Sequence, residues 1–195
     1  MADHDSLYHR LFCHPLMVEQ VVREFVPEAA GLEFNAMERV SAKFHGRTNQ
    51  RRESDVIWRL PTGNGADIYL YLLLEFQSQN DGWMAVRTQV YEGLLWQQII
   101  AERKLKAGDR LPPVLLLVLY NGEARWTAPT CTADLIALPP ESSLWPWQPQ
   151  ARYHVLDMGA FPGSDLARRD SLAALLFRLE QRSVPEELAG LIDDV

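Results

Sequence analysis

The chain has 195 residues, 47% hydrophobic and 23% charged, which suits one globular α/β domain with a sizeable core. A formal net charge of −7 argues against a protein that coats nucleic acid non-specifically, while leaving room for a local basic surface. No apolar run reaches the roughly 20 residues that a membrane span needs. Cys13 and Cys131 have no metal-ligand spacing, and without a secretory signal they read as free thiols in a reducing cytoplasm, used as small apolar filler.

Taken in order, the elements begin with helices over about residues 5–26. Asp5 or Ser6 would cap the first, Pro15 would open the second, Leu7, Leu11, Met17, Val21, Val22 and Phe25 would form the apolar face, and Pro27 would end it. The second half of the stretch from Leu32 to Phe44 alternates like a strand. Ser54 to Leu60 and Tyr69 to Gln77 read as two further strands. Between them lies Pro61-Thr62-Gly63-Asn64-Gly65, whose Asn-Gly is a strong hairpin signal, so the two are expected to be antiparallel neighbours. A helix should run from Met84 to about Lys106, with Met84, Tyr91, Leu94, Leu95 and Ile99 at helical spacing and Gly108 ending it. Pro112-Pro113 then leads into a buried strand, Val114 to Tyr120. The segment from Thr127 to Pro149, rich in Pro and Trp, reads as irregular. Tyr153 to Leu156 reads as a short edge strand, and Asp170 to Gln181 as a final helix with Leu172, Leu175, Leu176 and Leu179 inward.

The chemistry concentrates in the two central strands. Tyr69 to Leu74 is apolar on both faces, as in a strand buried on both sides, and it ends in Glu75. The two-residue period puts Glu75 and Gln77 on one face with Leu73 and Tyr71, and puts Asp55, Ile57 and Arg59 on one face of the preceding strand. Asp55, Glu75 and Gln77 can therefore converge. A buried carboxylate is costly unless a cation meets it. Two of them could meet a hard divalent ion such as Mg²⁺ or Mn²⁺. The bland readings remain open: Asp55 as a strand-entry acid paired with Arg52, and Glu75 as a strand-end acid facing solvent. Just upstream, Lys43, Arg47, Arg51, Arg52 and Arg59 against Glu53 and Asp55 give a local balance of +3. That surface is either a phosphate contact or a set of solvated loop charges.

The ordered motifs resemble a known family. They are Arg52-Glu53-Ser54-Asp55-Val56-Ile57-Trp58, Leu73-Leu74-Glu75-Phe76-Gln77-Ser78-Gln79, Met84-Ala85-Val86-Arg87 with Tyr91, and Tyr120-Asn121-Gly122-Glu123 with Trp126, preceded by His4-Asp5, Leu11-Phe12 and Pro15. Together they are similar to the recombination-promoting nuclease family, also described as YhgA-like transposases, within the PD-(D/E)XK nuclease superfamily. The resemblance runs from about residue 4 to about 160. It implies an α/β restriction-endonuclease-like fold: a three-layer core with a central mixed sheet flanked by helices. The strand, strand, strand, helix, strand order reached from periodicity is nearly the same.

The resemblance also implies a metal-dependent DNA endonuclease linked to recombination or mobile elements. Asp55, Glu75 and the backbone carbonyl of Phe76 would bind the metal. Gln77 stands where the superfamily usually has Lys, as it commonly does in this family. Gln can position water but cannot neutralise charge. Arg87 is the candidate for the missing cation, with Tyr91 one turn on along the same helix face. Both also have plain readings, a surface salt bridge and core packing. Lys43, Arg47, Arg51 and Arg52 would contact DNA. The expected arrangement is a single domain over residues 1–195 with its core at about 32–125, cytoplasmic, with DNA as partner, no membrane, and a homodimer allowed. The competing expectations are a catalytically weak or inactive member that binds DNA or protein, and a structural module whose acids pair with Arg51, Arg52 or Arg87.

Overall fold

The computed structural model describes residues 8–29, 31–41, 55–61, 67–75 and 80–181, with backbone only at 73–75. Its centre is a mixed sheet of five strands in sequential order: β1 (Glu38–Val40), β2 (Val56–Leu60), β3 (Ile68–Glu75), β4 (Val114–Tyr120) and β5 (His154–Asp157). β1, β2 and β3 are antiparallel neighbours, whereas β3, β4 and β5 run parallel. A parallel pair needs a crossover, usually a helix. Here α3 (Met84–Arg103) lies between β3 and β4 in sequence.

Each face of the sheet carries its own core. The face formed by Val56, Trp58, Leu60, Leu70, Leu72, Leu117, Leu119 and Leu156 is covered by α1 (described at residues 8–12), α2 (Pro15–Phe25), α4 (Gly163–Leu166) and α5 (Leu172–Gln181). The other face, formed by Ile57, Tyr69, Tyr71, Leu116 and Val118, packs on α3 through Met84, Ala85, Leu95 and Ile99. The result is the expected α/β arrangement of three layers, consistent with a restriction-endonuclease-like core.

The local reasons are mostly those in the sequence. Pro15 opens α2 at a position where its missing N–H leaves nothing unpaired. The α2 face Met17, Val18, Val21, Val22 and Phe25 is buried. Two expectations need correction. Helix α3 stops at Arg103, short of Lys106, because Lys104 takes the left-handed cap conformation (φ 53°) and Leu105 N–H bonds back to Ile100 O. Leu105 turns in against the α3 core, a hydrophobic contact common at such caps. Gly108, with φ 100°, serves the loop beyond. In α5, Leu172 and Leu175 are exposed, and the buried face is Ala173, Ala174, Leu176 and Phe177. Of the four leucines expected on the inner face, Leu176 is buried, and Ala173, Ala174 and Phe177 take the places of Leu172 and Leu175.

The Pro- and Trp-rich stretch is irregular apart from short 3₁₀ turns at Thr132–Leu135 and Trp145–Trp147. Trp126 packs edge-on against Tyr120 and donates its indole N–H toward Ala128 O and the Tyr153 hydroxyl, so it is a packing residue. Among the described residues no helix is long and apolar enough to cross a membrane. The proposed caps Asp5 and Ser6 and the hairpin turn lie outside the described residues.

Candidate functional site

The β2–β3 register pairs Val56 with Leu72 and Ile57 with Tyr71. Continued by one residue, it sets Asp55 opposite Leu73. Positions 71 and 75 are then the two diagonal neighbours of Asp55 on the same face of the sheet. The Asp55 end of this relation is visible in its contacts: the Tyr71 hydroxyl donates to Asp55 Oδ2 at 3.3 Å. On the other side of β3 the register continues from Glu75 to Tyr120 and from Tyr120 to Asp157. Asp55, Glu75 and Asp157 thus lie toward one edge of the sheet, at the carboxyl ends of its parallel strands. That edge is where open α/β sheets place their ligands.

Helix α3 closes the Tyr71 side. Tyr91 stacks nearly parallel on Tyr71, with ring centroids 5.8 Å apart and 12° between planes. Arg87, one turn earlier, donates from Nη1 to Asp81 Oδ2 at 2.5 Å. Burial first, then the Asp55 carboxylate, push the Tyr71 phenol well above its ordinary pKa. The Arg87 guanidinium works in the opposite direction. Tyr71 is therefore a neutral donor across the working pH range.

The β4 end is built around glycine and asparagine. Tyr120 is fully buried, and its ring lies against Gly122: a Cβ there would stand 2.1 Å from the Tyr120 hydroxyl. Asn121 turns the other way and donates to Glu180 Oε2 at 2.8 Å, tying the strand end to α5. Asn80, just before α3, donates to Arg125 O at 2.9 Å and accepts from the N–H groups of Thr127 and Ala128. Asp157 Oδ2 accepts from Trp126 N–H at 3.0 Å, while its Oδ1 has no hydrogen bond among the described residues and lies 3.6 Å from Arg125.

The residues singled out from sequence divide clearly. Asp55, Arg87 and Tyr91 gather around Tyr71 on one face. Glu75 is placed by its backbone register only. Phe76, Gln77, Lys43, Arg47, Arg51 and Arg52 lie outside the described residues. Arg59, counted in the basic surface, is held by Glu38 and by Asp67 at 3.5 Å, four register positions from Asp55. Among the described residues no group of three or more His, Cys, Asp or Glu side chains is spaced to hold a metal. The residue that sequence reasoning passed over is Tyr71. Its signal was present: it sits four positions before Glu75, so the strand period puts both on one face.

Comparison with known proteins bears on this arrangement. Residues 2–195 match the family described as "Putative transposase, YhgA-like". The recombination-promoting nuclease RpnD of Escherichia coli O157:H7 is 25% identical over 198 residues, covering 98% of this chain and 72% of its own length. The putative inactive recombination-promoting nuclease-like protein YjiP of Escherichia coli K12 is 28% identical over 90 residues, 45% of this chain and 86% of its own length. No solved structure matches significantly. The family match over nearly the whole sequence, with the motif residues in the order described, makes this chain a member of the YhgA-like putative transposase family.

Proposed function

We propose that the chain is a metal-dependent DNA endonuclease of PD-(D/E)XK type, acting in recombination or mobile-element processes. The observation that carries this reading is the register relation of Asp55 to position 75. Two acids lie one diagonal step apart on one face of a hairpin, at the ligand edge of a mixed sheet. Diagonal neighbours in a sheet are roughly 7–8 Å apart at the backbone, and two carboxylate side chains can bridge that span to one ion. An oxygen-only donor set suits a hard divalent cation, so Mg²⁺ or Mn²⁺ fits the residues present. Asp55, Glu75 and the Phe76 carbonyl would hold it. When bound, such an ion supplies an activated water and a charge sink for phosphodiester hydrolysis.

The chain's own residues have distinct tasks. Asp55 and Glu75 bind and orient the ion. Gln77 positions water by hydrogen bonding. Arg87, one turn before Tyr91 on α3, adds positive charge beside the site, partly offset by Asp81. Lys43, Arg47, Arg51 and Arg52 contact the DNA backbone. The similarity to RpnD, named a recombination-promoting nuclease, supports the reading over 98% of the chain.

A second reading has its own support. Gln77 carries no charge, the chain is acidic, and the relative YjiP is named a putative inactive nuclease-like protein. On that reading the chain is a weak or silent member that binds DNA or a protein. Nicking of supercoiled plasmid with Mg²⁺ or Mn²⁺ separates the two. The endonuclease reading expects cleavage that Asp55→Asn and Glu75→Gln each abolish, with both variants folded and with a metal-induced rise in the wild-type melting temperature that both lose. Cleavage that survives both substitutions would place the activity elsewhere. A folded wild type that neither cleaves nor is stabilised by metal would favour the binding module.

A further inference from the structure

We propose that Tyr71 is a positioning residue that fixes the orientation of Asp55 by donating its phenolic hydrogen to Oδ2, with Tyr91 clamping the phenol ring. This rests on the endonuclease reading and adds to it a residue of the site.

Three observations point the same way. First, a buried tyrosine hydroxyl usually finds a partner, and here the partner is the carboxylate at the candidate site, 3.3 Å away. Second, the ring has little freedom. Tyr71 is 1% exposed, in the middle of β3, and Tyr91 lies flat against it at 5.8 Å. Third, the donor is a phenol, a group that at its ordinary pKa of about 10 carries its hydrogen at the working pH. It can give a hydrogen bond to Asp55 but does not compete for a cation as a phenolate. Partners that orient a metal-binding carboxylate restrain its rotation, so less freedom is lost on binding. Removing such a partner typically weakens metal affinity or activity about 10–100-fold.

The test uses the full chain and the variant Tyr71→Phe, which keeps the stacked ring and removes only the donor. In metal-free protein, urea unfolding of wild type, Tyr71→Phe, Asp55→Ala and the double variant measures the contact itself. Tyr71→Phe is expected to lower the folding equilibrium constant roughly tenfold when Asp55 is present and much less when it is absent. Equal effects in both backgrounds would overturn the proposal. In plasmid nicking, Tyr71→Phe is expected to raise the Mn²⁺ concentration for half-maximal rate about 10–100-fold, with the rate at saturating Mn²⁺ largely recovered. Tyr91→Ala should move it in the same direction. A purely structural tyrosine would instead lower the maximal rate and leave the Mn²⁺ half-saturation unchanged, and that result overturns the proposal while sparing the endonuclease reading. Wild type that shows no Mn²⁺-dependent nicking overturns the endonuclease reading and the role of Tyr71 with it.

Discussion

Replacing Gly122 by alanine should destabilise the protein, against the usual sign of such a change. Gly→Ala normally stabilises by about 0.4–1 kcal/mol when the backbone conformation is accessible, because the unfolded chain loses freedom. Gly122 has no left-handed backbone angle to forbid it, so space alone decides. A Cβ at this position would stand 2.1 Å from the Tyr120 hydroxyl oxygen, 2.3 Å from Cζ and 2.7 Å from Cε2. The ring cannot slide aside easily: Tyr120 is 0% exposed and meets Trp126 edge-on at 4.9 Å. Overpacking of this kind costs about 1–3 kcal/mol. After the entropic gain, a net loss of about 1–2 kcal/mol remains, a fall of roughly 2–8 °C in melting temperature for a chain of this size. Urea unfolding with an unchanged m-value would report it. Gly93→Ala, in the middle of α3 with nothing within 4 Å of the added Cβ, supplies the opposite sign in the same assay, a gain of about 0.5–1 kcal/mol. A Gly122→Ala protein as stable as the Gly93→Ala protein would refute the reasoning.

Asn80→Ala removes one side chain that ties three backbone groups of residues 125–128, so a loss of about 1–2 kcal/mol is expected, with the Thr127 and Ala128 amides exchanging faster than those of β4. If those two amides stay as protected as in wild type, the clamp is not what orders that loop. For the chemistry, Arg87→Ala should lower plasmid nicking about 10²–10³-fold if Arg87 supplies the charge that Gln77 lacks, and Gln77→Lys should then be neutral or inhibitory. Arg87→Ala that nicks like wild type, alongside a strong gain from Gln77→Lys, would remove the compensating arginine from the mechanism.

The sequence made legible what periodicity and turn chemistry control. The β2–β3 hairpin follows from two apolar strands around Asn-Gly, and the facing of Asp55 and position 75 follows from the two-residue period. The buried strand Val114–Tyr120 is where the apolar run puts it. What stayed hidden depends on contacts between distant residues. The Tyr71 hydroxyl became a partner for Asp55 only once register brought the two together. Gly122 stood in the sequence only as a member of the Tyr120-Asn121-Gly122-Glu123 motif, and its reason is the Tyr120 ring folded back over it. The inward face of α5 could not be read by counting leucines, because Phe177, 4.4 Å from Phe25, is buried there together with Ala173, Ala174 and Leu176. Arg59 looked basic in the linear count, and only the fold delivers Glu38 and Asp67 to it.

The packing of α2 on α5 sets a timetable for synthesis. Gln20 Oε1 accepts from Ala173 N–H across 153 positions, Ser171 and Arg169 bond to Glu24, and Phe25 sits against both Phe161 and Phe177. Helix α2 leaves the ribosome well before the residues at 161–177 that cover it are made. Until then its face of Met17, Val18, Val21, Val22 and Phe25 has lost a large part of its shelter. Until the covering segment is made, the nascent chain therefore carries an incompletely covered apolar helix, the kind of surface that chaperones hold and that aggregates when they do not. The β2–β3 hairpin and the α3 crossover, made wholly between those two ends, can reach native pairing while the opposite layer is still open.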